Sequence, residues 1–286
     1  NNIIILMGTK SSQLYLYDQY SKSLITDTEI TQNSYYNPVI IKMDGEGNVV
    51  DSVCIKGQIT HTDNAMRASE INDDNLFAIT LFYNQNTNIE ISSTDTISNQ
   101  DLILQSGENG NNVAIIYFNE DLKVKWGKNV TRLINNNPSG GIEITDNGEV
   151  IFAGIIGNTY TISADETVNK EEINLVPKGS FDHIYIKYNS EGKIEAAKNF
   201  GGTGRDDVED IYLDDDGGYI VTGQSRASIV IPSEETVKNE EIVIELPQNM
   251  SYYGVAVKFT RDFKVEWVVS YDTMTNFTNV IKYKDD

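Results

Sequence analysis

Alternating runs of apolar and polar residues recur along the 286-residue chain, and four of them superimpose. IYIKYNSEGKIEAAK, from Ile184 to Lys198, has counterparts in VIIKMDGEGNVVDSV from Val39, AIIYFNEDLKVKWGK from Ala114 and VAVKFTRDFKVEWVV from Val255. The starts lie 75, 70 and 71 residues apart. In each, an alternating stretch reaches a four-residue polar turn (DGEG, NEDL, NSEG, TRDF) and alternates again, which predicts a β-hairpin. A second hairpin unit follows: SEINDDNLFAITLFYN from Ser69, IEITDNGEVIFAGIIG from Ile142 and DIYLDDDGGYIVTGQS from Asp210. Its turns are built from Asp, Asn and Gly, the residues that tolerate positive φ.

The fourth copy of this second unit is split. The chain closes on VIKYKDD and opens on NNIIILMGTK, and joining the two restores the unit. Between the second unit and the next hairpin lies an insertion of two further short β runs around an acidic turn. It is clearest as TYTISADETVNKEEINLVPKG from Thr159 and ASIVIPSEETVKNEEIVIELPQ from Ala227, with weaker copies from Gln13 and Asn88. No segment carries a 3.6-residue apolar period or a capped helix start, so the chain reads as all-β.

Four repeats of about 71 residues, four main strands each, fit a propeller, a solenoid or a row of sandwiches. The split repeat favours the propeller. A solenoid needs no complementarity between its ends, whereas a ring closes when its first and last strands share a blade and so loses its exposed edges. The expectation is a single four-bladed β-propeller domain over residues 1–286. Its repeats run approximately 1–74, 75–148, 149–217 and 218–286, and Ile3 to Gly8 pairs with Val280 to Tyr283.

Composition narrows the function classes. The 43 acidic and 22 basic residues give a net charge of −21 with no basic cluster, so neither nucleic acid nor an anionic membrane is an expected partner. No stretch approaches 18 apolar residues, so no membrane insertion is expected. Cys54 is the lone cysteine, which leaves no internal disulfide and no usual zinc framework.

The succession GGYIVTG, then the insertion, then DHIYIKYNSEGKIEAAKNFGGTGRDDVEDIYLDDDGG resembles the SBBP-type β-propeller repeats of bacterial secreted and cell-surface proteins. The endings KVKW and KVEW also resemble quinoprotein-like blades. The resemblance covers all four repeats, is sharpest from Asn158 to Gly223, and is weakest in the first, where Lys56, Gly57 and Gln58 stand at the GG position. It implies an extracellular or cell-surface propeller used as a binding or spacer module, with no catalytic residue to carry over.

Candidate chemistry is thin. Asp214, Asp215 and Asp216, with Asp146, Asn147, Asp73, Asp74, Asp285 and Asp286 at matching positions, offer oxygen ligands for Ca²⁺ but lack the spacing of a calcium loop, so they read as turn residues. Gly201, Gly202, Thr203, Gly204 and Arg205 lack the Lys-Ser/Thr ending of a phosphate loop and precede a strand, so they read as a corner. His61 and His183 occupy different repeat positions and neither sits in a nucleophile motif, and Cys54 falls where Asn129, Asn199 and Ser270 stand in the other repeats. The 43 acidic residues offer many possible carboxylate pairs, among which Glu70 and Glu143 share a first-strand position. Tyr36, Phe181 and Tyr252 share a position just before the third strand, flanked by Tyr35 and Tyr253, where a rim tyrosine could stack on a sugar or anchor a protein. Trp126 and Trp267, in the fourth strand, read as packing residues.

The expected function is a non-enzymatic binding or display module for a protein or glycan, through the Tyr35, Tyr36, Phe181, Tyr252 and Tyr253 rim, with no cofactor and no metal. Its alternatives are a carbohydrate-active hydrolase or lyase with a site in a central channel, and a structural spacer in a larger surface protein.

Overall fold

A computed structural model describes residues 3–9, 13–17, 24–29, 37–57, 59, 66–83, 87–107, 111–133, 140–246 and 251–271. Among them the fold is all-β and antiparallel, with no α-helix and two single-turn 3₁₀ segments. The chain divides into two compact units: Asn1–Thr131 forms nearly all of the first and Ser139–Asp286 nearly all of the second.

In the first unit, β1 (Ile3–Thr9), β4 (Asn37–Met43) and β5 (Val49–Cys54) form sheet 1 in the order β1-β4-β5. Sheet 2 is β6 (Met66–Ala68), β7 (Phe77–Tyr83), β10 (Asn111–Phe118) and β11 (Val124–Leu133), in the order β6-β7-β10-β11. Between their second and third strands lie the hairpins β2 (Gln13–Tyr17) with β3 (Leu24–Glu29), and β8 (Asn88–Ile91) with β9 (Leu102–Gln105).

The second unit repeats this plan. Sheet 3 is β12 (Gly141–Ile144), β13 (Val150–Ile156), β16 (Asp182–Tyr188) and β17 (Ile194–Phe200). Sheet 4 is β18 (Asp206–Leu213), β19 (Tyr219–Ser225), β22 (Tyr253–Phe259) and β23 (Val265–Tyr271). Their inserted hairpins are β14 (Tyr160–Ile162) with β15 (Ile173–Leu175), and β20 (Ile229–Ile231) with β21 (Ile242–Ile244). In sheet 1, β1 takes the place of the second strand of the others; the expected pairing of β1 with Val280 to Tyr283 lies outside the described residues.

The predicted turns fix the strand registers. In the turn between third and fourth strands, an Asx or Thr side chain caps the loop: Asp44, Asn119, Asn189 and Thr260 each accept the backbone N–H four residues on, at 2.8–3.1 Å. Four residues into each loop the backbone turns left-handed, at Gly47, Leu122, Gly192 and Phe263 (φ +88°, +54°, +78°, +57°). Glycine enters that region freely; Leu122 and Phe263 do so against their backbone preference. Both are fully buried. Phe263 packs on Tyr219 and Phe259 of its own sheet and on Tyr185 of sheet 3, with ring centroids 5.4, 6.3 and 6.2 Å away.

The same turns also make polar contacts with the neighbouring sheet. Arg261 of sheet 4 donates to both Glu149 oxygens of sheet 3 at 2.9 Å. In the first unit the donor is on the other side: the Lys42 ammonium of sheet 1 donates to the Glu120 backbone carbonyl in the turn of sheet 2.

Three of the inserted hairpins dock on their own sheets by one device. Thr96, Thr167 and Thr236 bridge in parallel to Val124, Ile194 and Val265, the first residues of the fourth strands. The residue after each threonine donates its N–H to that strand at 2.9–3.0 Å. Each threonine hydroxyl lies across its own turn, bonded to the carbonyl and N–H of Gln100, Glu171 or Glu240. Lys123 and Lys193 reinforce two of the hairpins by donating to the Thr94 and Asp165 carbonyls at 2.6 Å. The hairpin of the next repeat also explains one glycine of the GG position: a Cβ on Gly202 would lie 2.4 Å from the Ser228 carbonyl oxygen, and one on Gly57 would lie 2.5 Å from Ile89 Cδ1.

Candidate functional site

The sequence-predicted aromatics do not form one site among the described residues. Tyr35 and Tyr36 lie outside them. Phe181 bridges to Arg205, whose guanidinium sits 5.3 Å from the ring centroid, so the ring is engaged within the fold. Tyr252 is half-buried. Tyr253 is 0% exposed and donates its hydroxyl to the Ala227 carbonyl at 3.1 Å; burial pushes the phenol up to about 12. It is a core residue of sheet 4, with no ring face open to a ligand.

The acidic turn of sheet 4 is occupied internally. Lys258, buried in β22, donates to both Asp216 oxygens at 2.9 Å and also to Asp214. Its equivalent in sheet 3, Lys187, lies 3.0 Å from Glu149 and 3.1 Å from Glu195. These contacts hold Asp216 and Glu149 below their ordinary carboxylate values, against the opposing effect of burial on Glu149. Among the described residues no three His, Cys, Asp or Glu side chains converge as metal ligands.

The glycine corner is an acidic, buried junction rather than an anion cradle. The Gly202 N–H donates to Asp206 at 2.8 Å, and the Arg205 guanidinium is turned onto Asp207 at 2.7–2.8 Å. His183 is buried beside it, with Nδ1 2.8 Å from the Tyr185 hydroxyl; burial lowers its pKa to about 4 and keeps it neutral. His61 lies outside the described residues. Glu70 is exposed in the first unit, and Glu143 is half-buried on β12 in the second. Cys54 ends β5, with its thiol pushed up to about 11 by burial, the reverse of an activated thiolate. A pocket lined by Ile4, Lys42, Ile71, Asn75, Phe77 and Glu120 has a volume of only about 10 Å³, far below the roughly 300–1,000 Å³ of small-molecule sites.

The surface most suited to recognition is one that the sequence pattern assigns to packing. On β23, Trp267, Val269 and Tyr271 alternate along one face and are 38%, 46% and 52% exposed. The same positions are Asp51, Val53 and Ile55 along and just after β5, Trp126, Lys128 and Val130 in β11, and Ala196, Lys198 and Phe200 in β17. There Trp126 lies 5.1 Å from Tyr117, Phe200 lies 6.1 Å from Phe259, and Val130 is fully buried. Trp267 therefore departs from the packing expected of it. The signal in the sequence is that β23 alone carries large apolar residues at all three positions, where β5 has Asp51 and β11 and β17 have lysine; the repeat does not encode whether that row is covered.

The inserted hairpin of the same repeat has exposed apolar residues of its own. Val230 and Val243 are cross-strand partners facing outward, 45% and 48% exposed, where β14 and β15 carry Thr161 and Asn174. No helix among the described residues is long and apolar enough to cross a membrane. No protein-family model matches the chain, and comparison with curated proteins finds no match.

Proposed function

We propose that the chain is a four-bladed β-propeller serving as a non-enzymatic binding or display module of a secreted or surface-exposed bacterial protein. The four sheets are its blades, and the C-terminal residues complete the first. The observation that carries the binding reading is the Trp267, Val269, Tyr271 row on a terminal strand of sheet 4. Exposed aromatic side chains spaced along an outer strand supply rigid contact area at low entropic cost. A terminal strand also offers backbone groups to an added strand, so a protein ligand fits this surface better than a glycan.

Two measurements test the reading. The purified chain and a Trp267→Ser plus Tyr271→Ser variant are passed over an immobilised panel of bacterial and host surface proteins, with glycans alongside. Protein binding that drops at least tenfold in the variant, at unchanged melting temperature, supports the site; binding equal in both places it elsewhere. For the ring, removal of residues 280–286 is expected to destabilise the chain strongly, and a truncated chain as stable as the parent would overturn closure.

A further inference from the structure

The junction where the root of hairpin β20–β21 meets the glycine corner contains more hydrogen bonds than its serine can make alone. Ser225 Oγ contacts an Asp206 oxygen and lies 2.8 Å from the Ala227 carbonyl oxygen. It also accepts the Ala227 N–H at 3.3 Å. A hydroxyl carries one proton, and three oxygens in a chain need two protons to be joined. Tyr253, whose hydroxyl lies 3.1 Å from the Ala227 carbonyl and beside Ser225, can donate to either but cannot place a proton between Asp206 and Ser225 or between Ser225 and Ala227. The other Asp206 oxygen accepts from the Gly202 N–H at 2.8 Å. The proton count closes when Asp206 is a neutral acid donating to Ser225, which donates onward to Ala227.

The surroundings favour that state. Asp206 is 0% exposed. Of the groups that face it, Asp182 on β16 and Asp207 beside it on β18 both oppose a negative charge. Arg205, beside it in the chain, is turned onto Asp207, His183 is neutral, and Tyr185 and Tyr253 present phenol groups. Glu245, just beyond β21, adds a further acid and accepts from Ser228 at 3.0 Å. Burial, with Asp182 and Asp207, raises the Asp206 pKa to about 6.

We infer that Asp206 is a pH-dependent latch on the root of hairpin β20–β21, closed when protonated and released when it ionises. On ionisation the proton leaves to solvent, Ser225 turns its hydrogen to the carboxylate, and the Ala227 carbonyl keeps only Tyr253. The linkage follows from the direction of the shift. A carboxyl with a raised folded-state pKa contributes stability that is complete below its unfolded value of 3.8 and lost as pH rises through about 6. The hairpin is therefore held most firmly in mild acid, whatever the protein binds.

The experiment follows the Asp206 carboxyl carbon by NMR and the hydrogen exchange of the hairpin amides, corrected for intrinsic rate, from pH 4 to pH 8. The expected midpoint is near 6, with hairpin opening rising by up to about a hundredfold across it, tenfold per unit of pKa shift. Asp206→Asn can donate to Ser225 and accept from Gly202 at once, so its hairpin should stay protected at pH 8. A wild-type midpoint at or below 4 overturns the inference, as does an Asp206→Asn hairpin that opens at pH 8 as readily as the wild type. If that variant does not fold, Ser225→Ala replaces it: lost hairpin protection at pH 5 supports the latch, and unchanged protection overturns it.

Discussion

The turn that joins β16 to β17 and the turn that joins β22 to β23 follow the same backbone path and differ most at the residue that turns it left-handed. Both enter the left-handed region at the same place, one with Gly192 and the other with Phe263. Glycine does this freely. A phenylalanine gives up roughly 1–2 kcal/mol of backbone preference there, and burying its ring returns roughly 2–3 kcal/mol. The ring is spent on Tyr185 of the neighbouring sheet, so a locally unfavoured residue holds two sheets together. The first unit repeats the choice, with Gly47 in sheet 1 and a buried Leu122 in sheet 2. Each unit thus has one glycine turn and one wedge turn.

The largest expected effect comes from removing the wedge. Phe263→Ala should cost about 3 kcal/mol in urea unfolding, as other large-to-small core changes do. Phe263→Gly should cost no more than Phe263→Ala, because glycine relieves the backbone that alanine leaves strained. At an ordinary β position glycine is the worse substitution, so a clearly larger loss for glycine would break the comparison between the two turns.

The next effect tests the charged half of the same interface. Glu149 is shared by Lys187 and Arg261, with the Lys187 and Glu149 side chains only 7% and 11% exposed. Glu149→Gln removes the charge both cations use and leaves Lys187 with Glu195. We expect a loss of about 2 kcal/mol, below the roughly 3–5 kcal/mol seen when a buried pair is broken with no partner left. The sign in pH is opposite to that of Asp206. The Glu149 pKa is lowered, so its contribution is full above the unfolded value of 4.5 and is lost as pH falls through the folded one. Denaturation curves between pH 3 and pH 7 should show a shallower acid limb in the variant; identical acid limbs would mean the wedge acts alone.

The four sheets and their hairpins are legible in the sequence because β alternation is local: every residue of IYIKYNSEGKIEAAK reports its own face. The turns were legible for the same reason, down to the aspartates and asparagines that cap them. The docking of the hairpins was not, since nothing in ADETVNKEE says that its threonine meets Ile194 almost thirty residues later. The site was least legible. Tyr253 and Trp267 are both aromatic residues in strands, yet one is sealed beneath the hairpin root and the other half faces solvent. That difference is set by which neighbour covers each strand, and a repeat that looks alike four times does not encode it locally. Phe263 could be found, by noticing an aromatic residue where two of the other repeats have glycine.

The smallest effect separates the hairpins from the sheets that carry the wedges. Thr236 is fully buried at its turn, and its hydroxyl accepts the Glu240 N–H at 3.0 Å while lying 2.8 Å from the Glu240 carbonyl. Thr236→Val keeps the shape and orphans that N–H, at a cost of about 1–2 kcal/mol. Hairpin β20–β21 is a two-stranded sheet of its own, tied to sheet 4 by the Val237 N–H to the Val265 carbonyl at 2.9 Å. A cost confined to such an element is met by local opening before global unfolding. Hydrogen exchange at Val237 should therefore quicken by about tenfold, while the urea midpoint that Phe263→Ala moves so far stays nearly still. If the midpoint shifts in step with the exchange, the hairpin unfolds only with its sheet, and the wedge and the hairpin belong to one cooperative structure.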